Sequence, residues 1–314
     1  MAHGPDTEEL LRRINNIQRN VLDISTLNIT SIPTLPNSLQ TLYCHNIQIT
    51  ELPHLPASLQ NLYCCNLQIT KLPPLPASLR ILVCWNTQIT ELPPLPHSLV
   101  RLECNDTQIT ELPPLPPSLL VCDCNRTRIT ELPLLPPSLL RLYCNNTQLT
   151  SIPVLPASLK TFECANTLIT EVPTVSSSSL TYLNVSHTQI TSLPELPASL
   201  DTLNCSNTQL TELPTVTSSS LSTLICQSMQ ITDFPPFPSS LHTLFCENCP
   251  NLIIQRKKIE LFQDYKLRWV KWWIQKRIQD RCLAVKEELM AAAWHPRRVE
   301  KWLEIGGFEL LDAM

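Results

Sequence analysis

Glycine is almost missing from this chain. Its 314 residues include three glycines, Gly4, Gly306 and Gly307, so none lies between Pro5 and Ile305. Loops that cradle phosphate need backbone without a side chain, for close approach and for positive φ. Neither a G-x-G-x-x-G turn nor a P-loop can be drawn here, which argues against nucleotide-dependent chemistry. Aromatic residues make up only 5%, so the core has to be aliphatic. No run of about eighteen apolar residues occurs, which argues against a membrane-spanning helix. The opening MAHGPDTEELLRRINN lacks the apolar stretch of a signal peptide. Fourteen cysteines without an export signal then point to a reducing, cytoplasmic setting with free thiols, and sequons such as Asn105-Asp106-Thr107 carry no weight there. Seven scattered histidines and no ordered acid–base set leave little from which to build a catalytic centre. We therefore expect no enzyme and no cofactor.

Proline, by contrast, is abundant at 29 residues, and it recurs with a period. Leucines fall at 39, 59, 79, 99, 119, 139, 159, 180, 200, 221 and 241, twenty residues apart and twenty-one where serines insert. An earlier degenerate unit around Leu22 and Ile24 falls in phase, and each later unit reads close to L-x-x-L-x-C-x-N-T-Q-I-T-E-L-P-P-L-P-x-S from its first leucine. Counting that leucine as position 1, the residues at 1, 4 and 6 alternate as one face of a short strand does. The L-P-P-L-P segment cannot be helix interior, since proline removes donors and restrains the residue before it. It should run extended on the outer side. The serine closing each unit is expected to bond its own backbone and turn the chain. About twelve turns stacked at ~4.8 Å would span about 55 Å.

The pattern L-x-x-L-x-L-x-x-N/C-x-L marks leucine-rich repeats. With L-P-x-L-P between strands, the chain resembles the short bacterial type found in YopM- and IpaH-like secreted effectors. The resemblance implies a horseshoe solenoid with a concave parallel β-sheet, an extended convex side and helical caps. It also implies a protein partner, with a host-directed role. We expect residues 1–18 as an N-terminal helical cap, 19–252 as the solenoid and 253–314 as a C-terminal helical segment. The ligase half of the IpaH-like proteins is not carried over: Cys104-Asn105-Asp106 matches its nucleophile pattern but lies in a solenoid strand, and the remaining tail is too short. The family's asparagine at position 9 is replaced by Thr87, Thr107, Thr127, Thr147, Thr167, Thr188 and Thr208. Their hydroxyls could form a weaker ladder between turns.

Position 6 is cysteine in every unit from Cys44 to Cys246 except one, where Val185 stands. Valine is neither ligand nor nucleophile. The column therefore reads as wall, small apolar groups facing the core. Zinc, redox or disulfide roles are weaker readings, with Cys246-Glu247-Asn248-Cys249 the best place for a metal. Cys65, at position 7, should face solvent and is the best candidate for a reactive thiol.

Asp6 followed by Glu8 and Glu9 reads as a capped helix start, with Leu10, Leu11, Ile14 and Ile17 as its apolar stripe. The far end changes character. Residues 1–250 carry 10 basic and 18 acidic side chains, residues 251–314 carry 13 and 9. Residues 255–286 mix Trp269, Trp272 and Trp273 with lysines and arginines. They read as a cap, as a second protein-binding surface, or as a contact for nucleic acid or anionic membrane. The sequence AWHPRRVEKWLE near the end is similar to tails on proteins of large DNA viruses of amoebae.

Binding is read from positions 3, 5 and 7, which point out of the concave sheet. There Tyr63, Ile81, Val83, Trp85, Arg101, Glu103, Asp123, Arg141 and Tyr143 form a patch, while later turns look bland. Tyrosine, tryptophan and arginine are the types that dominate interfaces. The expected function is non-enzymatic recognition of a partner protein on this face. The alternative is a nucleic-acid- or membrane-associated protein acting through its tail.

Overall fold

A computed structural model describes residues 6–249, apart from 175–178, 215–219, 233, 236–237 and 239. All of these belong to the compact unit Met1–Ile254. Helix α1 (Thr7–Asn15) comes first. Twelve three-residue strands follow: β1 (Val21–Asp23), β2 (Thr41–Tyr43), β3 (Asn61–Tyr63), β4 (Ile81–Val83), β5 (Arg101–Glu103), β6 (Val121–Asp123), β7 (Arg141–Tyr143), β8 (Thr161–Glu163), β9 (Tyr182–Asn184), β10 (Thr202–Asn204), β11 (Thr223–Ile225) and β12 (Thr243–Phe245). They form one parallel sheet in sequence order. Equivalent positions pair across turns, as in Val83↔Glu103 and Asp123↔Tyr143. Position 4 is buried from β1 to β11, as at Leu42, Leu82, Cys122, Leu142 and Phe162, while Leu244 of β12 is half-buried. The L-P-P-L-P segments are neither helix nor strand. Among the described residues no helix is long and apolar enough to cross a membrane.

The shortage of glycine is met by asparagine. Position 8 turns the chain out of each strand with φ of 52–58° at Asn46, Asn66, Asn86, Asp106, Arg126, Asn146, Asn166, His187, Asn207, Ser228 and Asn248. Asparagine and aspartate tolerate this left-handed region best among side-chain-bearing residues. Their amides also chain together, with Asn66 Nδ2 donating to Asn46 Oδ1 at 2.7 Å and Asn86 Nδ2 to Asn66 Oδ1 at 2.7 Å. Where the run breaks, Arg126 pairs with Asp106 across the same step.

Two expected bonding roles are exchanged. The position-9 threonines do not ladder. Thr87 Oγ1 donates to the Cys84 carbonyl of its own turn at 2.9 Å, and Thr107, Thr127, Thr147, Thr167, Thr188 and Thr208 repeat this three-residue closure. At position 9 the hydroxyl sits inside the corner, within reach of the carbonyl three residues back in its own turn. The closing serines do the laddering instead. Ser78 Oγ donates to the Leu59 carbonyl at 2.6 Å and Ser98 Oγ to the Leu79 carbonyl at 2.6 Å, one turn back rather than locally.

At the N-terminal end, Leu10 of α1 is buried but Leu11 is 47% exposed, so the apolar stripe is narrower than expected. Asp6 does not cap the helix with its side chain. Its carboxylate accepts from the Asn28 backbone N–H at 2.6 Å, tying the helix start to the first turn.

Candidate protein-binding face

The cysteine column is wall. Cys44, Cys64, Cys84, Cys104, Cys124, Cys144, Cys164, Cys205 and Cys226 are each fully buried, and the thirteen described cysteines are free thiols. Burial raises the pKa of Cys64, Cys84 and Cys164, because the thiolate cannot be solvated there. Cys246 and Cys249 are half-buried, and Cys249 Sγ donates to the Cys226 carbonyl at 3.2 Å. Among the described residues no three potential ligands gather into a metal site.

Cys65 corrects the sequence reading. It is buried, its thiol donates to the Val83 carbonyl at 3.7 Å, and desolvation pushes its pKa up to about 12. Position 7 lies just past the three-residue strand, and larger side chains there, such as His45 and Trp85, are half-buried. A small side chain standing between His45 and Trp85 is shaded there. Val83 is a second correction: it is 5% exposed, a short side chain paired in register between Tyr63 and Glu103. It supports the face without being available to a partner.

The other expected residues lie together on the sheet face. Tyr63, Ile81, Trp85, Glu103, Asp123 and Tyr143 are half-buried, and Arg101 and Arg141 are exposed. Parallel register stacks them turn by turn. At the N-terminal end Tyr43 and Tyr63 stack with ring centroids 4.6 Å apart and planes 13° apart, and His45 meets Tyr43 edge-on at 6.5 Å. Aromatic pairs at this spacing add rigidity as well as area. In the middle, Arg101 Nε donates to Glu103 Oε1 at 2.7 Å along its own strand, so that arginine is spoken for. A floor of position-7 asparagines holds the central turns: Asn145 N–H donates to Asn125 Oδ1 at 2.6 Å and Ala165 N–H to Asn145 Oδ1 at 2.7 Å.

The carboxylates of this face are held against their preference. Asp123 is pushed up to about 6, chiefly by burial, with Glu103, Glu163 and Asp106 adding repulsion and the Asn125 N–H opposing. Glu163 is raised by burial, with the Asn145 side chain opposing. Tyr182 is pushed up to about 12 by burial and by its neighbours Glu163 and Tyr143. Tyr182 and Glu163 belong to the central face, though the sequence patch left both out. The inserted serine before β9 shifts the repeat by one, which hides Tyr182 among turns that look bland. Position 3 of that turn was the signal.

No family model matches the chain, and no curated protein does. Solved structures do. YopM from Yersinia enterocolitica WA-314 aligns at 31% identity with a TM-score of 0.64, over 74% of this chain and 56% of that one. The repeat, the parallel register and this likeness agree. The fold is a leucine-rich-repeat solenoid. YopM from Yersinia pestis, described as a leucine-rich effector protein, aligns at 26% identity with a TM-score of 0.62, over 79% of this chain and 83% of that one. The functional domain of InlJ from Listeria monocytogenes, described as including a cysteine ladder, aligns at 26% identity with a TM-score of 0.65, over 74% of this chain and 54% of that one. The solenoid thus matches just over half the length of the Y. enterocolitica and Listeria chains. The basic, aromatic residues 255–286, the C-terminal helical segment and the virus-like ending all lie outside the described residues.

Proposed function

We propose that this leucine-rich-repeat chain is a non-enzymatic recognition scaffold that binds a partner protein on its concave face. The observation that carries this reading is the stacked Tyr43–Tyr63 pair beside half-buried Ile81 and Trp85, on a sheet face that continues into Arg101, Glu103, Asp123, Arg141 and Tyr143. Rigid aromatic anchors next to charged groups are what interface centres are made of. In this reading the solenoid expected over residues 19–252 presents the binding face. The likeness to bacterial effector structures supports a host-directed role in the cytoplasm of a host cell.

The test is affinity capture from mammalian and amoebal lysates with the full chain and with Trp85→Ala/Tyr143→Ala, after circular dichroism shows both folded. We expect one protein to be captured by the full chain, to persist at raised salt and to be lost with the double variant. A protein captured equally by both, and released by salt, would instead place binding on a charged surface elsewhere.

A further inference from the structure

The centre of the concave face has a chemistry more specific than protein binding in general. Asp123, Tyr143 and Glu163 occupy position 5 on three adjacent strands and pair in register, Asp123↔Tyr143 and Tyr143↔Glu163. At about 4.8 Å per strand, the two acidic residues stand about 10 Å apart with the tyrosine between them. Tyr182 closes the group from β9, where it pairs with Thr161 and interacts with both Glu163 and Tyr143. Two half-buried rings and two half-buried carboxylates therefore share one spot on an open sheet.

Among the described residues no ion pair engages either acid at this spot. Four pairs form, at Arg12–Glu9, Arg13–Glu9, Arg101–Glu103 and Arg126–Asp106, and none involves Asp123 or Glu163. Arg101 is held by Glu103, and Arg141 points its field at Tyr143 without pairing to either acid. What bonds the acids receive come from below: the Asn125 N–H donates to Asp123 Oδ1 at 3.0 Å and Asn145 Nδ2 to Glu163 Oε2 at 2.8 Å. Those bonds fix the carboxylates in place and leave their charge uncompensated. A protein surface tuned for stability alone would not gather partly desolvated like charges.

We propose that Asp123, Tyr143, Glu163 and Tyr182 form a seat for the cationic head of an arginine or lysine side chain presented by the partner protein. The ring of Tyr143 lies under the cation and a carboxylate stands on either side, combining a cation–π contact with charge-assisted hydrogen bonds. The proposal rests on the recognition reading and names the chemistry of the partner at its centre.

The probe is N-acetyl-arginine amide, titrated into the full chain while the tyrosine ring resonances are followed by NMR, with N-acetyl-citrulline amide as the uncharged isostere. We expect saturable shifts with the arginine compound and none with citrulline. Asp123→Asn/Glu163→Gln should weaken binding at least about tenfold, as loss of a charge-assisted contact implies. Glu111→Gln/Glu131→Gln changes the net charge equally at exposed convex positions and should leave binding unchanged. Binding should also weaken as pH falls through about 6, where Asp123 takes up a proton. The groups facing Asp123 are Arg101 and Glu103 from β5, Asp106 from the corner that follows β5, Arg141 and Tyr143 from β7, and Glu163 from β8.

Misfolding of the variant would show as a lower melting temperature, and the opposite is expected for Asp123→Asn. The raised folded pKa means that the native chain binds a proton more tightly than the unfolded one. Stability therefore falls as pH rises from the ordinary aspartate range to about 6 and stays lower above it. Asparagine removes that penalty, so Tm should rise more at pH 7.5 than at pH 4. Equal binding by the site and convex variants, or by citrulline and arginine, overturns the seat. If a protein captured by the full chain is lost by Trp85→Ala but kept by Asp123→Asn/Glu163→Gln, recognition stands and the seat is wrong. If both variants keep it, both readings fall.

Discussion

Phe162→Ala is expected to destabilise the folded chain by about 3–5 kcal/mol, the usual cost of emptying a large aromatic site in a core. Phe162 is fully buried at position 4 of β8, where it pairs in register between Leu142 and Leu183. Each turn of a solenoid contacts only its neighbours, so no distant part of the chain can collapse into the hole. The loss should therefore show as a lower urea midpoint in far-UV circular dichroism together with a less steep transition, as the central turns open before the rest. Phe162→Leu restores the side chain used at position 4 by the flanking turns and should cost less than about 1.5 kcal/mol. Near-equal effects of alanine and leucine would mean that the column does not pack turn against turn.

Thiol labelling should divide the cysteines more sharply still. In the native chain, iodoacetamide should modify Cys246 and Cys249 and leave the eleven buried described thiols unmodified, Cys65 among them. Two effects multiply. With its pKa pushed up to about 12, Cys65 would hold only about one part in ten thousand as thiolate at pH 8. Access further requires opening of the fold, which for a stable domain is populated at about one part in 10³ or less. Mass spectrometry of the labelled chain in buffer and in urea measures both. Rapid native labelling at Cys65 would return it to the solvent-facing position that its place in the repeat suggested, and would remove the account of position 7 given above.

The repeat made most of the fold legible. Strand positions, parallel order, the inward leucines and the apolar meaning of the cysteine column all follow from a twenty-residue period with alternating burial, and Val185 alone nearly decides the last of these. What the period left obscure lies at the corners. Strict alternation holds only for the three residues of each strand, so position 7 cannot be assigned to a face by counting, and Cys65 shows the consequence. The asparagines at position 8 were visible, yet their left-handed backbone follows from a combination: a sharp turn is required, and glycine is absent. Threonine and serine offered equal hydroxyls, and only the distances show that one closes its own turn while the other reaches back to the previous one. Within the face, Val83 looked available because neighbouring bulk is not written in its own column. Tyr182 was missed because one inserted serine moved it out of step.

The central claim is that a partner protein lies on the concave face, and hydroxyl-radical footprinting of the captured complex tests it most directly. Convex reporters are at hand in Leu134 and Val154, which are 87% and 76% exposed. Binding should slow oxidation of Tyr63, Trp85 and Tyr143 and leave Leu134 and Val154 unchanged. Protection of Leu134 and Val154 with unaltered oxidation at Trp85 and Tyr143 would contradict the account and move the interface to the proline-rich side.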